Sequence, residues 1–246
     1  MTTLVLALIA GAVVGLALGA LGGGGSVLAV PALIYLLGFT PVAATTASLV
    51  IVTATSATAL YAHARDGAVA WRTGALFAAA GIGPAFLAGA AAGRLAPALL
   101  TGAFAVIAGL AALRMLRPAD GPSGPVRPVK AAGAGAGLGA VTGFLGVGGG
   151  FLAVPALVGV LGLRMRQAVG TSLLVITVNS LAALAARAGT GGALDWAVIG
   201  PFAGAAVLGA WDGKRLASKV SGAALQRIFA CVLLMVAAFM LIDVIV

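Results

Sequence analysis

Hydrophobic residues in this chain come in long uninterrupted runs separated by short clusters of Gly, Pro, Arg and Asp. The runs predict helices over Thr3 to Leu21, Ser26 to Phe39, Pro41 to His63, Trp71 to Ala92 and Pro97 to Leu116. A second series follows over Ala131 to Leu145, Phe151 to Leu163, Gln167 to Arg187, Trp196 to Trp211 and Gly222 to Val244. Runs with no polar face to wet are membrane segments. Ser26 to Phe39 is the odd member: about 14 residues make roughly 21 Å of helix, short of a ~30 Å hydrocarbon core.

The two series are copies. Gly22-Gly23-Gly24-Gly25 precedes Leu28-Ala29-Val30-Pro31-Ala32-Leu33, and Gly146-Val147-Gly148-Gly149-Gly150 precedes Leu152-Ala153-Val154-Pro155-Ala156-Leu157, at a constant offset of 124 residues. From Gly15 to Leu33, twelve of nineteen positions match their counterparts from Gly139 to Leu157. Paired glycine breaks beside short apolar segments, in corresponding places of two halves, point to a transporter's binding site.

Composition narrows the class. With 62% hydrophobic and 8% charged residues, the chain reads as an integral membrane protein, expected as one membrane domain over 1–246. Repeat one is expected over 1–116, a Pro-, Gly- and charge-rich linker over 117–130, and repeat two over 131–246. Met1-Thr2-Thr3 offers no basic leader of a signal peptide. The lone Cys231 leaves no disulfide framework and no cysteine metal cluster. Neither a metal nor any cofactor is implied. The net charge of +9 does not call for nucleic acid, because the basic residues sit in short loops between spans.

Charge also chooses a topology. If each glycine break were a kink within a single crossing, the 14 Lys and Arg would divide evenly between the two sides. If the chain turns back at each break, one side collects all of them except Arg94 and Arg187. The positive-inside rule selects the hairpin layout. The fold class expected is therefore an all-α integral membrane protein with two inverted-topology repeats, each a glycine-tipped helical hairpin followed by three transmembrane helices. Both termini lie outside and the linker lies in the cytoplasm, in a prokaryotic inner membrane. How deep the tips reach is left open by charge.

A reversal inside a membrane exposes amides that hydrocarbon cannot satisfy. The short helix after each tip presents the positive end of its dipole, which attracts anions. The candidate binding residues are accordingly Gly24, Gly25 and Ser26 in the first copy and Gly148, Gly149 and Gly150 in the second. The next helix of each half carries small hydroxyls: Ser48 pairs with Ser172, Thr53 with Thr177 and Ser56 with Ser180 at the same offset. Ser48, Thr171, Ser172 and Asn179 complete the candidate set, as neutral donors suited to a carrier that must release its cargo. The competing reading for each hydroxyl is a bond between helices. Gly11, Gly15, Gly81, Gly89, Gly204 and Gly209 are assigned to helix packing. His63 is expected as a solvated interfacial anchor. There is no Glu, and the five Asp fall in loops or near segment ends, so the intramembrane acid that cation pumps usually need is missing.

Gly19 to Leu33, Thr46-Ala47-Ser48-Leu49 and their copies Gly143 to Leu157 and Gly170-Thr171-Ser172-Leu173 resemble the sulfite exporter TauE/SafE family over nearly the whole chain. The resemblance implies a secondary transporter, an exporter by the family's name, of sulfite, an organosulfonate or a related sulfur oxyanion. The residues leave direction, coupling ion and oligomeric state open. A small anion and the lipid bilayer are the expected partners. An enzyme is not expected, since no carboxylate pair, metal cluster or nucleophile beside a base is present. An anion channel and a non-transporting membrane assembly factor are the competing readings.

Overall fold

The computed structural model describes residues 2–92, 97–116, 127–145, 150–186 and 195–245. Its helices are α1 (Thr2–Leu21), α2 (Gly24–Pro31), α3 (Pro41–Arg65), α4 (Trp71–Ala92), α5 (Pro97–Leu116), α6 (Pro128–Leu145), α7 (Gly150–Gly159), α8 (Met165–Ala186), α9 (Trp196–Ser218) and α10 (Gly222–Ile245). The elements read from the sequence are all present, with shifted ends. Helix α6 begins at Pro128, so the last three residues of the expected linker are its first turn, and α9 runs on past Trp211 to Ser218.

Local chemistry sets the ends. Pro41 opens α3 behind Thr40, whose hydroxyl accepts from the Ala43 amide, and Asp195 caps α9 by accepting from the Ala197 amide at 3.1 Å. Both short helices close with the same device. Gly38 (φ +70°) donates to Ile34 O and Phe39 to Leu33 O, while Gly162 (φ +68°) donates to Val158 O and Leu163 to Leu157 O. This is a left-handed glycine cap with a second bond reaching six residues back, repeated at the 124-residue offset. The short segments differ in their middles. Pro31, with no N–H for the carbonyl four residues back, is followed by a π-helical turn over Ala32–Leu36, whereas α7 stays α-helical around Pro155.

Packing joins the halves crosswise. Helix α1 lies along α9, α4 along α6, α3 against α8 and α5 against α10. A Cβ on Gly11, Gly15 or Gly19 would overlap the carbonyl of Phe202, Ala206 or Ala210, so α1 and α9 run parallel with their backbones touching. Gly135 and Gly139 meet Phe77 and Gly81 in the same parallel sense. In α3 and α8 the order reverses: Ser56 meets Thr177, while Ala70, beyond the end of α3, meets Thr171. Small residues let membrane helices approach this closely and gain dispersion and Cα–H···O contacts. Gly204, assigned to packing from the sequence, instead faces open space; Gly19, Gly135, Gly139 and Gly213 are close-contact positions that the sequence reading did not single out.

The core follows the same exchange. One apolar cluster unites α1, α2 and α3 with Ile199, Phe202, Ala206 and Ala210 of α9. The other unites α6, α7, α10 and parts of α8 with Phe77 and Ala78 of α4 and Ala108, Ala112 and Met115 of α5. The first half thus lends α4 and α5 to the second core, and the second half lends α9 and, through Leu173 and Ile176, part of α8 to the first. The outer surface is apolar, with Leu4, Ile9, Val13, Phe86, Leu87, Leu208 and Phe239 all exposed. Among the described residues, four helices, Thr2–Leu21, Ala43–Arg65, Met165–Ala185 and Gly222–Phe239, are long and apolar enough to cross a membrane. Trp71, Trp196 and Trp211 stand exposed, as interface-seeking indoles do.

Candidate functional site: a glycine tip and a hydroxyl-lined crossing

The first tip is Gly22-Gly23. Gly22 ends α1 with its amide on Leu18 O at 2.8 Å and takes φ +69°. A Cβ there would meet Ser172 Oγ at 2.5 Å and Val169 O at 3.2 Å, so both backbone angle and space demand glycine. The tip of one half therefore presses on the second and third turns of α8 in the other. Gly24, Gly25 and Ser26 do not form the turn itself; they make the first turn of α2, which starts at Gly23 without a side-chain cap. Gly150, buried, opens α7. Gly148 and Gly149 lie outside the described residues.

The predicted hydroxyls have assignable partners. Ser48 Oγ donates to Thr45 O and Ser172 Oγ to Val169 O, each at 2.8 Å, matching i−3 bonds at equivalent positions. Thr171, fully buried, accepts from the Ala70 amide at 3.0 Å and so anchors the entry to α4. Its counterpart Ala47 is buried among apolar residues, and the entry to α9 is capped by Asp195 instead. This exchange of caps accounts for the difference between Thr171 and Ala47.

Helix geometry separates the set. Counting from the Ser56–Thr177 contact, Ser48 lies eight residues back along α3 and Ser172 five back along the antiparallel α8. At 1.5 Å per residue they stand ~20 Å apart along the crossing, at opposite ends. Asn179 follows Thr177 by two residues, roughly 200° around the helix, and is half-buried on another face of α8. The centre is held by residues named in the sequence reading but left out of the candidate set. Ser56 Oγ lies 2.9 Å from Thr177 Oγ1, and Thr53 Oγ1 is buried with no hydrogen-bond partner among the described residues.

His63 is buried, contrary to the expected solvated anchor, with Nε2 3.1 Å from Gly19 O, one turn before the first tip. A carbonyl only accepts, so Nε2 carries the proton. Nearby, Lys214 of α9 reaches Asp66 Oδ2 at 2.8 Å and Ala62 O at 2.7 Å. A groove of about 740 Å³ between α5, α6 and α7 has an apolar wall that includes Leu138, Leu152 and Pro155, with Arg114 and Lys130 also lining it. Among the described residues, no group of three or more His, Cys, Asp or Glu is placed to hold a metal.

The family model described as sulfite exporter TauE/SafE matches residues 7–240. A "Probable membrane transporter protein" of Xylella fastidiosa (strain 9a5c) is 36% identical over 250 residues, covering 97% of this chain and 95% of the relative. A protein of the same name from Xylella fastidiosa (strain Temecula1 / ATCC 700964) is 34% identical over the same shares. With its duplicated glycine-rich motif, apolar helices and a match over almost its full length, this integral membrane protein belongs to the sulfite exporter TauE/SafE family of membrane transporters.

Proposed function

We propose that this transporter is a secondary carrier that exports a small sulfur oxyanion, such as sulfite or an organosulfonate, by alternating access. The observation that carries the reading is the contact of the Gly22 tip with Ser172, which sets a backbone reversal of one half against a hydroxyl of the other. Glycine reversals at the interface of repeats are where carriers of this architecture bind their solutes. The anion then passes along the α3/α8 crossing, between Ser172 at one end and Ser48 at the other, with Thr53, Ser56, Thr177 and Ser180 between them. Neutral hydroxyls and the start of a short helix lower the free energy of a buried anion without a fixed countercharge that would retain it.

The repeats are inverted in this reading, with the linker cytoplasmic, both termini outside and the protein in the prokaryotic inner membrane. Support comes from the direction of pairing. Parallel α1 and α9, parallel α4 and α6, and antiparallel α3 and α8 are what two oppositely oriented copies produce when each lends a helix to the other. Because of that exchange, the moving bodies are the two packed cores, not the sequence halves 1–116 and 131–246.

The test is flux of sulfite, thiosulfate, sulfate and sulfonates into proteoliposomes, with Ser48→Ala, Ser172→Ala and Asn179→Ala as variants. Saturable, counter-transported flux of at least one sulfur oxyanion, reduced in the serine variants, is expected. Fast unitary conductance would replace the carrier by a channel, and absence of anion flux would leave an assembly role.

A further inference from the structure

The 124-residue offset that relates the halves maps Ser56 onto Ser180 and Thr53 onto Thr177. The hydrogen bond between Ser56 and Thr177 therefore has a twin, Thr53 with Ser180, built from the same residue types on the same two helices. The structure makes one and not the other. Ser56 Oγ and Thr177 Oγ1 are 2.9 Å apart, whereas Thr53 Oγ1 is buried with no partner among the described residues. Ser180 is buried one turn beyond Thr177 on the same face of α8, and in the antiparallel crossing it stands at the level of Thr53.

Bonds within each helix sharpen the contrast. Thr177 Oγ1 lies 2.7 Å from Leu173 O and Ser56 Oγ 3.3 Å from Thr53 O, so whichever hydroxyl donates across the crossing turns its single proton away from its own helix's carbonyl. Thr55 and Thr58 donate to the carbonyls of Ile51 and Ala54 four residues back. Thr53 makes no such bond. A buried hydroxyl left without any partner is unfavourable by about 1–3 kcal/mol, which is tolerable in a protein that satisfies it in another state.

We propose that Thr53 and Ser180 are positioning residues of the transport cycle, forming the hydroxyl contact of the opposite access state while Ser56 and Thr177 separate. The inference rests on the inverted-repeat carrier reading above. Two copies of one fold in different conformations define one access state, and exchanging their conformations defines the other. Under that exchange, a bond present in one copy and absent in its twin must trade places. Each state then keeps one bond and strands one hydroxyl, so the two states stay close in free energy. A carrier needs that balance, since a ligand can shift an equilibrium only by its differential affinity.

The test uses the full chain with Cys231→Ala in proteoliposomes, and two double variants, Ser56→Cys/Thr177→Cys and Thr53→Cys/Ser180→Cys, bridged by mercuric ion. Both pairs are expected to bridge, with yields that move several-fold in opposite directions when a sulfite gradient is reversed. In the quadruple variant only one bridge should form per molecule. Two bridges in one molecule, or a Thr53/Ser180 pair that never bridges while the other does, overturns the proposal. Should a double variant not fold, Thr53→Val and Thr177→Val serve instead, read by maleimide labelling of Ser48→Cys. The two substitutions are expected to move the labelling rate in opposite directions, and a shift in the same direction overturns the proposal. Because bridging and labelling report the conformational state without needing net flux, exchange without sulfite flux counts against the substrate reading alone. Sulfite flux without exchange counts against this inference alone.

Discussion

Lys214 on α9 holds Asp66, just past the end of α3, at 2.8 Å. The same ammonium caps the Ala62 carbonyl at 2.7 Å, so one side chain from the second half closes the C-terminal end of a helix in the first. The hydrogen bond from Lys214 holds the Asp66 carboxyl below its ordinary range. A lowered carboxylate pKa means stability that is present above the unfolded value near 4 and fades as pH falls through the folded value. With Asp66 56% exposed, the contribution is small, under about 1 kcal/mol. Lys214→Met is expected to lower thermal stability in detergent more than Asp66→Asn, because only the former also strands the Ala62 carbonyl. Equal losses would mean that the ion pair alone matters.

Gly15 and Gly204 make a matched pair for testing the helix seam. A Cβ at Gly15 would overlap Ala206 O, and one at Gly204 would meet nothing within 4 Å. Gly15→Ala is expected to destabilise by about 1–3 kcal/mol through overpacking, with Gly204→Ala close to neutral. Melting curves of the two purified variants decide it, and indistinguishable curves would refute the α1–α9 seam.

At Gly22 two constraints act together, a left-handed backbone and the Ser172 hydroxyl. Gly22→Ala is expected to carry about 1–2 kcal/mol of backbone strain and to depress flux strongly. Adding Ser172→Ala removes the steric clash but not the strain, so the double variant should recover stability only in part. Full recovery would show that the angle is unimportant.

The orientation of the repeats can be read with cysteines in a Cys231→Ala background, since Cys231 is itself exposed. Thr40 in the loop before α3 and Arg164 in the loop before α8 are both exposed and stand at matching places in the two halves. Single cysteines there are expected to label from opposite faces of the membrane, position 164 from the cytoplasmic side. Labelling of both from one side would return the kinked, non-inverted layout.

How much of this was legible beforehand depended on how local each feature is. The long helices follow from runs of apolar residues close together in the chain, and they stand where the pattern puts them, with shifted ends. His63 misled, because nothing near it in sequence announces Gly19 O, 44 residues away and 3.1 Å from its ring. Gly204 misled for the same reason. A glycine's neighbours on its own helix do not say whether another helix comes near, whereas Gly19, Gly135 and Gly139 have backbones against them. The hydroxyl set was recognised by its repetition, but its division into two ends and a centre needed the antiparallel crossing of α3 and α8.

The amino-acid order by itself determined a duplicated, all-helical membrane protein with a glycine break in each half, because hydrophobic run length, charge placement and backbone angles are properties of short stretches. Only the tertiary structure decided that α4 and α9 change cores, that Gly22 rests on Ser172, and that Ser56 rather than Thr53 finds a partner. Those outcomes depend on which surfaces meet across more than a hundred residues, and in a chain whose surfaces are nearly all small and apolar, contact distance discriminates where composition does not.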